Sequence, residues 1–247
     1  MNKTTEQDWL LKEKYAGIPS AGYEADLERL EAGEPLAYVI GWVDFLDSRI
    51  DLYDRPLIPR PETEWWTKAV ISHQSSGNSQ AIKILDIFAG SGCIGIALLK
   101  HLPHARVDFG EKDPKLCALI KKNIQLNNID SSRARIIESD IFSAIPERYN
   151  MIVANPPYID KGAGNIALSV VEHEPHMALF APERGLYFIE QLFKEGGAHL
   201  EAGGALYIEF GKDQEAAVRN LGKNYGWNVT IREDQYGTPR WAEVRLK

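Results

Sequence analysis

Four short stretches carry residue types that could do chemistry. The most specific is Asn155-Pro156-Pro157-Tyr158, which ends an apolar run from Tyr149 to Ala154 that reads as a strand. Its two prolines fix the backbone and remove two amide donors. What remains are acceptors, the Asn155 side-chain oxygen and the Pro156 carbonyl. Two convergent acceptors suit a planar NH₂ group, and the Tyr158 ring adds a face on which a flat amide or base can stack. The bland alternative is a rigid turn after a strand. The second stretch is Asp86-Ile87-Phe88-Ala89-Gly90-Ser91-Gly92, which closes one strand and opens a helix. Gly90 and Gly92 let the backbone bend tightly and approach a ligand closely, and free amides at a helix start favour a carboxylate or phosphate. The spacing is not the dinucleotide Gly-x-Gly-x-x-Gly, and the missing Gly-Lys-Ser/Thr excludes a P-loop. A turn that merely needs glycine is the alternative.

Glu111 follows about twenty residues later, at the end of the next strand, where an acid can accept both hydroxyls of a ribose. Alone, such an acid is solvated surface. Asp140-Ile141-Phe142 follows a third strand. An acid there can bind an exocyclic amine while apolar neighbours sandwich a flat base. The alternative is a capping Asp and a core Phe.

These stretches need a frame that brings strand ends together. From Ile82 onward short apolar runs (Ile82–Phe88, Arg106–Gly110, Ala134–Ser139, Tyr149–Asn155) alternate with helical patterns, one ending near His101 and one over Asp113–Asn127. That alternation predicts an α/β fold with a parallel sheet and helices on both faces. A helix over Leu186–Leu200, a turn at Glu201–Gly204, a strand over Ala205–Phe210 and a helix over Gln214–Lys223 follow. The last two strands, Trp227–Asp234 and Trp241–Leu246, have no helix between them, so they form an antiparallel hairpin at the sheet edge. Upstream, Trp9, Leu10, Leu11 and Tyr15, then Leu27 and Leu30, mark one or two short amphipathic helices. The segment from Pro35 is rich in β-branched and aromatic residues, and Arg49–Tyr53 alternates with a two-residue period, predicting a β-hairpin. Pro56, Pro59 and Pro61 then force an extended loop, and a helix starts at Glu62 or Thr63 and runs to about His73. The expected organisation is a short helical region over 1–33, a β-hairpin linker over 34–61, and the main domain over 62–247.

Composition narrows the classes. With 28 basic against 35 acidic residues the net charge is −7, and the isoelectric point is near 5.5. That argues against a protein coating nucleic acid through bulk positive charge. No run approaches the roughly 18 apolar residues of a membrane span, mean hydropathy is −0.30, and the N-terminus lacks a signal-peptide core. A soluble cytoplasmic protein follows, with a monomer as the default expectation. Cys93 and Cys117 form no Cys-x-x-Cys pair, so neither a disulfide framework nor a cysteine zinc site is expected. Pro103 and Pro175 interrupt the pairs His101/His104 and His173/His176, so no metal is expected.

Together the glycine loop, the ribose acid and the Asn-Pro-Pro-Tyr tetrad resemble a class I S-adenosylmethionine-dependent methyltransferase that modifies a planar amino nitrogen. The flanks sharpen the resemblance. Leu57-Ile58-Pro59-Arg60-Pro61-Glu62-Thr63-Glu64 is similar to a signature of the PrmC/HemK family, and Glu34-Pro35-Leu36-Ala37-Tyr38-Val39-Ile40-Gly41 to the stretch before it. Glu174 to Leu179, Arg184-Gly185-Leu186, Gly203-Gly204, Glu209-Phe210-Gly211 with Gln214, and Gly237 with Arg240 match later parts, so the resemblance spans roughly 34–247. It implies a Rossmann-like seven-stranded, mostly parallel sheet. It also implies methylation of the glutamine amide in the Gly-Gly-Gln motif of peptide-chain release factors, with S-adenosylmethionine as cofactor, S-adenosylhomocysteine as product and no metal. The cofactor would lie on Asp86, Phe88, Ala89, Gly90, Ser91, Gly92, Glu111, Asp140, Ile141, Phe142 and Asn155. Substrate would meet Asn155, Pro156, Pro157, Tyr158, Arg60 and Glu62, with Asn155, Pro156 and Tyr158 catalytic. Arg60, Glu62 and Thr63 would close over the cofactor or position the tetrad. Partners implied are release factors, with no direct nucleic acid and no membrane.

The sequence departs from the family pattern in places. Phe88-Ala89 replaces Gly or Cys followed by Thr. Ile141 stands where many members have Trp, which either weakens base packing or moves it to Phe142. Phe180-Ala181-Pro182-Glu183 replaces a glycine-containing turn, and the helical region ahead of residue 34 is less than half the family's usual length. Three rival readings remain. An adenine amino-methyltransferase acting on DNA or RNA uses the same tetrad on a flipped base, but usually adds a recognition region and a basic cleft. A glutamine methyltransferase acting on a ribosomal protein is closer, though the Pro59–Glu64 segment favours release factors. A non-catalytic scaffold conflicts with a complete tetrad.

Overall fold

The computed structural model describes residues 3–75, 81–162 and 166–247. Two helices come first, α1 (Lys3–Tyr15) and α2 (Ala21–Glu31), the second capped by the Ser20 hydroxyl on the Tyr23 amide. Leu36–Ile40, read from sequence as part of a β-rich segment, is instead a helical turn, α3. The Pro35 carbonyl accepts the Tyr38 and Val39 amides, and Gly41 at φ 96° ends the turn in the left-handed region. Burial of Tyr38 and Val39 overrides their strand propensity. The hairpin follows as expected, β1 (Trp42–Phe45) against β2 (Ser48–Asp51), with Leu46 and Asp47 both at positive φ in its two-residue turn. Helix α4 spans Pro61–Ser75.

The main sheet contains β3 (Ile82–Ile87), β4 (Ala105–Glu111), β5 (Ala134–Glu138), β6 (Tyr149–Ala154), β7 (Leu200–Glu209), β8 (Trp227–Glu233) and β9 (Pro239–Leu246), in the order β5-β4-β3-β6-β7-β9-β8. The first five are parallel, and β9 inserts antiparallel between β7 and the edge strand β8. The expected seven-stranded sheet with its antiparallel hairpin is present. Helices α5 (Cys93–His101), α6 (Pro114–Leu126), α7 (Leu168–His173), α8 (His176–Leu179), α9 (Pro182–Gly185), α10 (Tyr187–Glu195) and α11 (Glu215–Asn224) complete the chain. Apolar side chains from the two sheet faces feed two cores, one including Trp66, Ile84, Ile96 and Phe109, the other Leu85, Ile152, Leu192 and Phe210. Among the described residues no helix is long and apolar enough to cross a membrane.

The Glu201–Gly204 turn expected from sequence lies inside β7, where the pairing with β6 shifts register between Tyr149 and Met151. Gly203 takes φ 78°, and a side chain on Gly204 would meet the Glu201 and Asn150 carbonyls at 3.0 and 3.1 Å. The glycines mark an irregular strand, which has the same composition signal as a turn.

Chain direction reverses between β3, which leads to β4 on one side, and β6 on the other. Ligands in open α/β sheets bind outside the carboxyl ends of the strands at such a point. All four chemistry-bearing stretches lie at or just beyond the carboxyl ends of β3 to β6, so one crevice receives them. Helix α6 fastens the hairpin beside it. Fully buried Asn123 accepts the Asp51 amide at 2.8 Å and donates to the Asp51 and Ser91 carbonyls at 3.3 and 3.0 Å. One turn on, Asn127 bonds both backbone groups of Arg49 at 2.9 and 2.7 Å. Asn123 thus ties the hairpin and the glycine loop to one helix. Replacing it leaves buried backbone groups unpaired, so Asn123→Ala is expected to lower unfolding free energy by about 1–3 kcal/mol. Urea denaturation monitored by tryptophan fluorescence measures this, and an unchanged midpoint would refute the fastening role.

Candidate active site

The crevice holds a cavity of about 600 Å³ at the carboxyl edge of the sheet, within the usual range for small-molecule sites. Of the glycine loop, Phe88, Ala89, Gly90 and Ser91 line it. Gly90 and Gly92 take φ 57° and 79°, and the Gly92 amide donates to the Ala89 carbonyl at 2.7 Å as α5 begins. Gly92 itself caps α5 outside the cavity lining. Phe88 also has positive φ, 61°, in a region that favours glycine. Its ring lies 5.5 Å from that of Phe188, on α10, which lines the cavity too. Sequence reading missed Phe188, because it reads as one apolar position of an ordinary amphipathic helix, two residues beyond the Arg184-Gly185-Leu186 stretch.

Glu111 is buried rather than solvated. One carboxylate oxygen accepts the Gly90 amide at 2.8 Å, and the other the Lys112 and Asp113 amides at 2.8 and 2.9 Å. The acid holds the glycine loop in shape while lining the cavity. Asp140 and Ile141 also line it, with Asp140 paired to Lys112 at 2.7 Å on the exposed rim. Ile141 sits at φ 51°, and the Ser139 hydroxyl donates to its carbonyl at 2.7 Å and accepts the Ala144 amide at 3.0 Å. This kink turns the next side chain away. Phe142 is buried in the core and stacks on His199 at 4.5 Å, so the expectation that a base packs on it is not met.

Asp86 lies beneath the cavity, fully buried, with one oxygen accepting the Gly95 amide at 2.8 Å and the other unpartnered. A side chain on Gly95 would meet Phe109 at 2.3 Å, so only glycine lets α5 approach β3 and β4 this closely.

The tetrad separates this cavity from a second one of about 720 Å³. Asn155 lines both, Pro157 the first, Pro156 and Tyr158 the second. Arg60 also lines both, and its guanidinium donates to buried Glu174 at 2.5 Å. Glu174 further accepts the Ile58 amide at 3.1 Å, pinning the proline-rich loop. Glu62, in the first turn of α4, lines neither cavity, whereas its neighbour Thr63 lines the first.

Behind the tetrad stands Glu209, at the end of β7 and 1 % exposed. Its Oε2 accepts from the Thr63 hydroxyl and the Trp66 indole N–H, both at 2.7 Å, and its Oε1 from the Tyr158 hydroxyl at 3.0 Å. The Asn155 side-chain NH₂ in turn donates to Thr63 Oγ1 at 3.2 Å. Burial raises the Glu209 pKa, opposed by those three donors and by the charge of Arg240. Burial and the Glu209 charge also push the Tyr158 phenol far above its ordinary range, so it stays neutral. The Tyr158 carbonyl accepts from Gln214 at 2.9 Å, and a side chain on Gly185 would sit 2.1 Å from that carbonyl, so the turn at α9 must be glycine. Two sequence signals mark Glu209, an acid at the end of the apolar run Ala205–Ile208 and the family-like stretch Glu209-Phe210-Gly211, but neither shows it as a centre that gathers donors. Among the described residues no group of three or more His, Cys, Asp or Glu is placed to hold a metal ion.

Burial pushes the Asp86 carboxyl up to about 8, with Glu111 adding to the rise and the Gly95 amide opposing it. A folded-state value above the ordinary 3.8 means that the folded protein binds the proton more tightly than the unfolded chain. Stability present below about pH 4 is therefore lost as pH rises toward about 8. Asp86→Asn is expected to flatten this part of the profile. Thermal midpoints of both proteins across that window measure it, and parallel curves would refute the assignment.

Comparison with known proteins agrees with this geometry. Residues 67–177 match the family model described as methyltransferase small domain. The human METTL16 N-terminal domain, solved in complex with SAH, superposes with a TM-score of 0.57 at 20 % identity, covering 81 % of this chain and 76 % of that one, and shares its fold. The release factor glutamine methyltransferase of Francisella tularensis is 36 % identical over 88 % of this chain and 76 % of its own. That of Streptococcus pneumoniae is 33 % identical over 88 % of this chain and 77 % of its own. Such identity across most of both chains exceeds what a shared fold requires, and the chain belongs to the release factor glutamine methyltransferase family.

Proposed function

We propose that this chain transfers a methyl group from S-adenosylmethionine to the side-chain amide nitrogen of the Gly-Gly-Gln glutamine of a peptide-chain release factor. The observation that carries this reading is the position of Asn155, in the wall shared by two cavities. A methyl donor on one side and an acceptor amide on the other would meet at that wall. The first cavity fits the cofactor in chemistry as well as size. It offers a glycine loop for close approach, the Glu111 carboxylate for hydroxyls, and Asp140 and Ile141 with apolar Phe188 in the same lining for a base. When bound, the cofactor supplies an electrophilic sulfonium methyl.

The residues of the chain then do the rest. Pro156 and Pro157 carry no N–H, so the turn presents acceptors. Asn155 Oδ1 and the Pro156 carbonyl take the two N–H bonds of the glutamine amide. This holds its nitrogen toward the first cavity and favours the positive charge that builds there. Fixed orientation and preorganised dipoles each supply several kcal/mol in such sites. Tyr158 offers its ring to the amide plane. Its neutral phenol takes no proton, and the methylated nitrogen releases one to water. Arg60, Arg184, Lys212 and Arg240 line the second cavity, where the loop bearing the glutamine would lie. In this reading 62–247 carries most of the chemistry, with Arg55, Leu57, Pro59 and Arg60 of the 34–61 linker completing the wall of the first cavity.

With labelled S-adenosylmethionine, label is expected in a release factor and not in its variant with the motif glutamine changed to Ala. Label in duplex DNA alone would replace the protein substrate by an adenine. Asn155→Asp puts a charge where a neutral acceptor stands and is expected to lower kcat about 100-fold or more, with S-adenosylmethionine affinity moderately changed by calorimetry. Unchanged turnover would refute the role of Asn155.

A further inference from the structure

An asparagine amide presents either an oxygen or an NH₂ to its substrate, and the tetrad works on an NH₂ only if the oxygen faces it. The hydrogen-bond chain behind Asn155 decides this. The Trp66 indole N–H can only donate, and it donates to Glu209 Oε2. The Thr63 hydroxyl has one hydrogen, and that hydrogen also goes to Oε2. The ionised carboxylate leaves both donations in place, as does a proton on Oε1 beside the amphiprotic Tyr158 hydroxyl; only a proton on Oε2 would reverse the Thr63 bond, and the Trp66 N–H aimed at that same oxygen disfavours it. Thr63 Oγ1 therefore has only lone pairs left for Asn155. The Asn155 NH₂ must face Thr63, as the 3.2 Å contact shows, and Oδ1 is the end left free to accept from a substrate amide.

We infer that Thr63, anchored by Glu209 and Trp66, is a positioning residue that fixes the flip state of the Asn155 amide and so selects primary-amide acceptors. The inference rests on the proposed reaction for its kinetic consequence, but the flip state itself can be read without turnover. All three anchoring groups are buried, so water does not substitute for them. A reversed Asn155 would present two N–H donors to an incoming NH₂, a repulsive pairing that lowers kcat rather than cofactor affinity.

The test compares Thr63→Val, which keeps shape and removes the hydroxyl, with Thr63→Ser, which keeps the hydroxyl. In protein labelled with ¹⁵N-asparagine, the Asn155 side-chain NH₂ signal is assigned by its absence in Asn155→Asp. One of its protons is expected to be protected from solvent exchange in wild type and Thr63→Ser, and unprotected in Thr63→Val. In the release-factor assay Thr63→Val is expected to lose about 10- to 100-fold in kcat, with S-adenosylmethionine affinity within about twofold and Thr63→Ser restored to within about threefold of wild type. Added to Asn155→Ala, Thr63→Val is expected to cost nothing further, because it acts through the missing group. Equal protection in Thr63→Val and wild type, or a kcat loss that adds in full to that of Asn155→Ala, overturns the inference. If Thr63→Val fails to bind cofactor, Thr63→Ala takes its place. Wild type that leaves the release factor unlabelled while protecting the Asn155 proton sinks the substrate reading and leaves the positioning role standing.

Discussion

A carboxylate buried at the end of a central strand cannot stay unpaired, and Glu209 has its three donors on two separate pieces of chain. Thr63 and Trp66 come from α4, and Tyr158 from the turn after β6. An uncompensated buried charge or carboxyl costs several kcal/mol, so these pieces are held where the hydrogen bonds can form. The alignment of α4 over the sheet, the placement of the Asn-Pro-Pro-Tyr turn and the closing of the wall between the two cavities all depend on it. The same physics recurs in smaller form at Glu174, which pins the loop of Ile58 and Arg60, and at Glu111, which pins Gly90. Three buried acids thus fix chain segments around the crevice, each by accepting from backbone or from a fixed donor.

The crevice also holds backbone conformations that most side chains avoid. Phe88, directly after β3, and Ile141, three residues beyond the end of β5, both take left-handed angles, at a cost of about 1–2 kcal/mol each. Each angle redirects the chain at the point where it leaves the sheet. Phe88 turns to face Phe188, and Ile141 turns its neighbour Phe142 into the core. Two of the positions where this chain departs from its family pattern, Phe88 and Ile141, are thus among the non-glycine residues strained at the cavity edge, as Arg55 is too. Strain concentrated at a ligand site is the usual location for it, and here the aromatic and aliphatic side chains line the wall that a smaller residue would leave open.

Much of the frame was legible before any coordinates. Continuous apolar runs of β-branched residues alternating with helical patterns can bury themselves only in a parallel sheet covered on both faces, and the missing helix before Trp241 marked the antiparallel hairpin. Glycine and proline carry their meaning locally, so the loop at Gly90 and Gly92, the donor-free turn at Pro156-Pro157 and the extended Pro56–Pro61 segment could be read from residue type alone. Local signals misled where two structures share one composition. Gly203-Gly204 reads as a turn and is an irregular strand, and Leu36–Ile40 reads as strand and is a helical turn closed by Gly41.

What the sequence by itself determined is the order of elements and the identity of the groups at the strand ends, because periodicity and backbone restriction act over a few residues. Tertiary structure alone decided which of those groups face the cavity and what holds them. The bond from Thr63 to Glu209 joins residues 146 apart, and that from Arg60 to Glu174 joins residues 114 apart. No local pattern encodes such a pairing. The choice between Phe142 and Phe188 as cavity wall turned on one dihedral at Ile141 and on how α10 lies against the sheet. Asn155 has the same side chain in either flip state, and only the donors and acceptors gathered behind it by the fold decide which end meets the substrate.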